Sequence, residues 1–182
     1  MTAPPRRPTV HLIAGLPCAG KTTYAVALRA DTNGVLFTLD RWLITLFGRY
    51  AIASVGHDEH VRRVLACRTL IWEAASELLR SADVILDDGF FLRANRVRCV
   101  EMAKAAGAAA KIHFLDTPES ELRARLAQRN ASLPPHNFHI DAETFDGFLR
   151  LFETPSADEG AELVVVPHSS SSLGKRWIAT RS

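Results

Sequence analysis

Thr9-Val10-His11-Leu12-Ile13-Ala14-Gly15-Leu16-Pro17-Cys18-Ala19-Gly20-Lys21-Thr22-Thr23 is the stretch that decides the fold. Its first six residues are a short, largely apolar run rich in strand formers, and a buried strand is expected there. From Lys21 to Ala30 apolar residues recur at helical steps, so a helix should follow at once. Gly15, Gly20, Lys21 and Thr22 occupy all four fixed positions of the phosphate-binding P-loop, in the strand–loop–helix setting that its chemistry requires. The glycines let the backbone curl so that successive N–H groups and the helix N-terminus meet phosphate oxygens. Lys21 supplies a cation near the terminal phosphate, and the Thr22 hydroxyl stands where a Mg²⁺ ion needs an oxygen ligand. Pro17, Cys18 and Ala19 fill the loop, and Thr23 lies one position further round the helix. A chance glycine-rich turn is the bland alternative. For Cys18 the choice is between a passive loop residue and a thiol whose pKa the helix N-terminus lowers.

Outward from that stretch, strand-length apolar runs alternate with longer helical ones, the pattern of an α/β fold with a parallel sheet wrapped by helices. Strands are expected at Thr9–Ala14, Val35–Leu39, Val84–Asp87, Lys111–Leu115 and Glu162–Val166. Helices are expected at Lys21–Ala30, Glu59–Ser81, Arg93–Ala106, Glu119–Arg129 and Asp141–Phe152. Asp40–His57 and Ala131–Ile140 read as insertions at the edge where open α/β sheets bind ligands. Residues 118–140 form a candidate helical lid. Met1–Pro8 reads as a loose tail and Ser169–Ser172 as a low-complexity loop.

The 182 residues fit one domain with one core. With 47% hydrophobic and 23% charged residues, composition excludes broad disorder, and a net charge of +2 marks no nucleic-acid arm. Three widely spaced cysteines make neither a zinc site nor a disulfide framework, and a reducing cytoplasm suits them. No apolar run has the length of a membrane span, so no membrane is expected. The three tryptophans are not clustered as a stacking platform.

Phosphoryl transfer rests on positioning and charge, so carboxylates at strand ends and an arginine beyond them are the groups to seek. Asp40 closes the second expected strand, where it can accept a hydroxyl proton or cap the segment beginning at Arg41. Asp87 and Asp88 close the third. Consecutive strand residues face opposite sides, so one of the pair should reach Thr22 or a metal and the other the acceptor, unless both merely form a turn before Gly89. On the fourth helix Arg125 and Arg129 share a face, with Arg123 off it. That pair suits a lid closing over phosphates, or else a solvated helix face. His136 and His139 read as loop residues and His11 as a satisfied core histidine.

On these residues the chain resembles small P-loop kinases related to polynucleotide kinase, the zeta toxins and chloramphenicol phosphotransferase. The likeness rests on Gly15–Thr22, on Asp40, on Asp87-Asp88-Gly89-Phe90 and on Leu122–Arg129. Phe152-Glu153-Thr154-Pro155 with Asp158-Glu159-Gly160 is also similar to AAA-type ATP-binding members of the group. The resemblance implies a three-layer α/β/α domain with sheet order 2-3-1-4-5. It implies Asp40 as general base, Arg129 with Arg125 steadying the transferred group, and Asp88 in preference to Asp87 for the metal. Those polynucleotide and toxin kinases carry an arginine a few residues after the base, whereas here Arg41 follows at once and Arg49 lies further on. The expected activity is an ATP- and Mg²⁺-dependent kinase acting on a hydroxyl, of a small molecule in preference to a nucleoside or nucleic acid. The alternative is a regulatory ATPase that signals to a protein partner.

Overall fold

In β1 (Thr9–Ala14) every residue is buried, because the strand lies mid-sheet with helices over both faces. The computed structural model describes residues 7–168, so the expectations for Met1–Arg6, Ser169–Ser172 and Trp177 lie outside the described residues. β1 pairs in parallel with β3 (Val84–Gly89) on one side and β4 (Ala109–Asp116) on the other. β2 (Val35–Thr38) and β5 (Glu162–Pro167) complete a five-stranded, all-parallel sheet of order β2-β3-β1-β4-β5.

Alternation along β1 divides the core. Val10, Leu12 and Ala14 face one layer, with Phe37, Val84, Leu86 and Ile112. That layer is closed by α2 (Leu39–Phe47) and α4 (His57–Leu78), and by α5 (Arg93–Ala105), which supply Leu43, Cys67, Ile71, Val100 and Ala103. Ile13, Ile85 and Leu115 face the other layer, covered by α1 (Lys21–Thr32), α6 (Glu119–Ala131) and α7 (Ala142–Leu151) through Ala25, Leu122, Leu126 and Phe145. The expected three-layer α/β/α architecture is the one observed. His11 sits in the second layer, 2.8 Å from His113, which Tyr24 reaches at 2.8 Å, so it is a core histidine with a partner.

The segment after β2 departs from expectation. The strand ends at Thr38, and Leu39 already opens α2, followed by a short α3 (Ile52–Val55). Leu39, Leu43 and Phe47 recur every four residues, and Trp42 packs on Phe37 with ring centroids 6.1 Å apart, so this insertion is a helix docked on the sheet. Asp40 is therefore in the first turn of α2, neither on a strand tip nor at the N-cap, which is Thr38.

The return to β5 is clasped. Arg96 of α5 donates from Nε and Nη2 to the two carboxylate oxygens of Glu159, each at 2.7 Å, and both side chains are fully buried. Nη1 of Arg96 donates to the Phe90 carbonyl at 2.9 Å, and Phe91 stacks on Phe148 of α7 at 5.1 Å. Among the described residues no helix is long and apolar enough to cross a membrane.

Candidate active site

The phosphate loop is built by backbone constraints. Gly15 has φ 150°, and a Cβ there would lie 3.2 Å from the Leu115 carbonyl oxygen, so any other residue would be strained and crowded. Its N–H donates to the Gly89 carbonyl at 3.0 Å, pinning the loop to the end of β3. Cys18 holds φ 67°, Pro17 and Ala19 are buried, and the Ala19 N–H turns back to the Leu16 carbonyl at 3.2 Å. Gly20, at φ 91°, is the N-cap of α1 and makes no side-chain cap, and no acid stands in the first turn. The positive end of the helix is left for an external anion. Lys21 donates from Nζ to the Leu16 carbonyl at 2.8 Å. Burial lowers the Lys21 pKa, while Asp87 and Asp40 pull it back up. Thr23 is exposed on α1.

The parity of β3 separates its two acids. Asp87 has the parity of Ile85 and falls on the α1 side, where Thr22 Oγ1 donates to its Oδ2 at 2.7 Å. Asp88 has the parity of Leu86 and falls on the α4 side, where Arg68 grips it with two bonds of 2.7 and 2.6 Å. The pairing of β1 with β3 steps from Ile13↔Asp87 to Ala14↔Gly89, leaving Asp88 as the extra residue of a bulge that re-aims the strand end. The structure thus brings Asp87, not Asp88, to Thr22, against the preference that the resemblance implied. Burial raises both carboxyl pKa values, opposed at Asp87 chiefly by Lys21 and at Asp88 by Arg68.

Asp40 stands within range of the charges on Lys21, Asp87 and Asp88 on one side and Arg129 of α6 on the other, and the space between them is the candidate cleft. The Asp40 carboxyl is raised to about 6, first by burial among the cleft walls, with Lys21 opposing and Asp87 and Asp88 adding to it. The residue keeps an exposed face, so water in the cleft limits that rise. Across the cleft, α6 presents both expected arginines. Arg125 donates to the Cys18 carbonyl at 3.3 Å and to Glu121 at 2.9 Å. Arg129 donates from Nη2 to the Phe138 carbonyl at 3.4 Å, and it is among the charges felt by Cys18, Lys21 and Asp40. Arg123 points away, to Glu119 and Asp146. Burial raises the Cys18 thiol pKa, and Arg129 and Lys21 only partly offset it, which favours the passive loop residue over the reactive thiol.

Several cleft residues escape the sequence reading. Arg68 is one; Tyr50, Arg63 and Phe138 are others. The Arg63 guanidinium lies 5.0 Å from the Phe47 ring centroid and 4.7 Å from that of Tyr50. A second hollow beside the phosphate loop is lined by Gly20, Tyr24, Thr117, Arg125, Pro167 and His168 among others.

Residues 10–155 match the AAA domain family AAA_33. The chain belongs to this family. The AAA domain also resembles solved structures at low identity. A candidate kinase from Chloroflexus aurantiacus J-10-fl is 18% identical with a TM-score of 0.71, and the likeness covers 89% of each chain. Kti12 of Chaetomium thermophilum, solved in complex with ADP-AlF3, is 17% identical with a TM-score of 0.65, covering 90% of this chain and 91% of that one. A gluconokinase from Sinorhizobium meliloti 1021 is 19% identical with a TM-score of 0.58, covering 91% and 86%. At these identities the likeness shows a P-loop kinase-like fold. No curated protein matches the chain.

Proposed function

We propose that this AAA domain is an ATP- and Mg²⁺-dependent phosphotransferase that moves the γ-phosphoryl group to a hydroxyl, on a small molecule in preference to a nucleic acid. One observation carries the reading: Asp40, in the first turn of α2, faces Lys21 and the Thr22–Asp87 pair closely enough for their charges to act on its carboxyl, which is raised. A carboxylate with a pKa near the working pH, beside a phosphate cradle, is suited to take the proton of an attacking alcohol. The phosphates would lie on Gly15–Thr22, with the nucleobase outside them, over the shallow hollow by Thr117, Arg125 and Pro167. Arg129, with Arg125, would meet charge on the transferred group.

The donor set fits the metal. Thr22 and Asp87 offer a hydroxyl and a carboxylate 2.7 Å apart, hard oxygens of the kind that hold Mg²⁺ alongside phosphate and water. Bound there, the ion would neutralise phosphate charge. Asp87 is thus our metal-side acid, and Asp88, already held by Arg68, would face the acceptor.

The test is transfer from γ-labelled ATP to pools of sugars, nucleosides, antibiotics and oligonucleotides. A labelled small-molecule product supports the reading, and a labelled oligonucleotide moves the acceptor to nucleic acid. Steady hydrolysis that no alcohol alters would overturn it in favour of a regulatory ATPase.

A further inference from the structure

Arg129 is poorly held by its own helix. Its hydrogen bond to the Phe138 carbonyl is long, at 3.4 Å, and its Nε is buried with no hydrogen-bond partner among the described residues. A flexible side chain with so little direct restraint takes its position from whatever fixes its one acceptor. Phe138 lies in the loop between α6 and α7, yet its ring reaches across the cleft. It meets Tyr50 edge-on, with centroids 5.1 Å apart, and packs against the core layer that holds Trp42 and Phe47.

Tyr50 is itself well anchored to α4. Its hydroxyl is 3.1 Å from His60 Nδ1, and its ring lies 4.7 Å from the Arg63 guanidinium, which donates to Glu59 at 2.7 Å. A second tie runs the same way, from Arg49 Nη2 to the Pro134 carbonyl at 3.1 Å. A continuous set of contacts therefore links α4, through Tyr50 and Phe138, to the guanidinium on α6.

We infer that Tyr50 and Phe138 are positioning residues for Arg129, so that the wall of the acceptor cleft sets the guanidinium facing the transferred phosphoryl group. The inference rests on the kinase reading above, in which Arg129 has that place. Small misplacements of a charge-stabilising group cost far more in the transition state than in the ground state. The coupling should therefore appear with a transition-state mimic and not with product nucleotide.

The experiment compares binding of ADP with Mg²⁺ against ADP with Mg²⁺ and aluminium fluoride, by titration calorimetry, on the full chain. Arg129→Ala should weaken the fluoride complex about 100-fold. Phe138→Ala and Tyr50→Ala should each weaken it about tenfold and change ADP affinity less than about twofold, whereas Tyr50→Phe, which keeps the ring, should stay near wild type. Phe138→Ala combined with Arg129→Ala should be no weaker than Arg129→Ala alone, because both act through one group. Phe138→Leu, with melting curves for every variant, keeps the test valid if the alanine variant is poorly folded. Wild-type fluoride affinity in both Phe138 variants, with the Arg129→Ala loss intact, overturns the inference alone. Additive losses in the double variant do the same. No loss in Arg129→Ala overturns the place given to Arg129 in the kinase reading, and with it the inference.

Discussion

On the donor side of the cleft, eight consecutive residues, Gly15–Thr22, make the whole cradle, and what fixes them is backbone: positive φ at Gly15, Cys18 and Gly20 and a bond to Gly89. On the side proposed for the acceptor, Asp40, Tyr50, Arg68 and Phe138 come from α2, the turn after it, α4 and the loop between α6 and α7, and what fixes them is side chain against side chain. The first kind of site is rigid because its geometry is local. The second can be retuned one pair at a time.

That contrast can be broken by experiment. Asp40→Asn should lower transfer by about 10²- to 10⁴-fold and leave ATP affinity unchanged, checked by single-turnover transfer and by calorimetry. Equal losses in both would place Asp40 with the donor half and remove the distinction. Gly15→Ala should do the reverse. Its methyl meets the Leu115 carbonyl at 3.2 Å, so nucleotide affinity should fall about tenfold or more, at a stability cost of about 1–3 kcal/mol seen in denaturant melts.

Smaller effects sharpen the acceptor side. Arg68→Met strands the Asp88 carboxyl, 11% accessible, without its partner and should cost about 2–3 kcal/mol of stability. Adding Asp88→Asn should recover most of it, whereas a pair that merely decorates the surface would show neither loss nor recovery. Transfer should rise with pH through about 6 as Asp40 loses its proton, and level off above. The sign for stability is opposite. A carboxyl raised in the folded state binds more protons folded than unfolded between about 4 and 6, so its charge weakens the fold as pH rises through that window. Above pH 6, Asp40→Asn should melt slightly higher than wild type, and a lower melting temperature would show that the charge is well solvated.

Much of this is legible in the sequence. β1, the loop and α1 were read at their observed starts, because short-range chemistry specifies each of them. The helix at Leu39 was missed although its four-residue spacing was present, because an acid after an apolar run also reads as the end of a strand. The opposite facing of Asp87 and Asp88 followed from alternation, but which of them meets Thr22 depends on which layer holds α1, a fact of topology that spacing does not carry. Arg68 and Phe138 lay within segments read correctly in outline. Their partners are Asp88 and Tyr50, distant in sequence, and no local pattern announces such pairs.

The clasp between Arg96 and Glu159 bears on how the molecule opens. An edge strand near the end of the described chain is ordinarily the first to fray, exchanging its amide protons well ahead of the core. Here lifting the segment that leads into β5 would carry Glu159 into water and leave the fully buried Arg96 without its carboxylate, at about 3–5 kcal/mol. The edge therefore belongs to the same cooperative unit as α5 and the end of β3. Its amides should exchange with that unit, as one event.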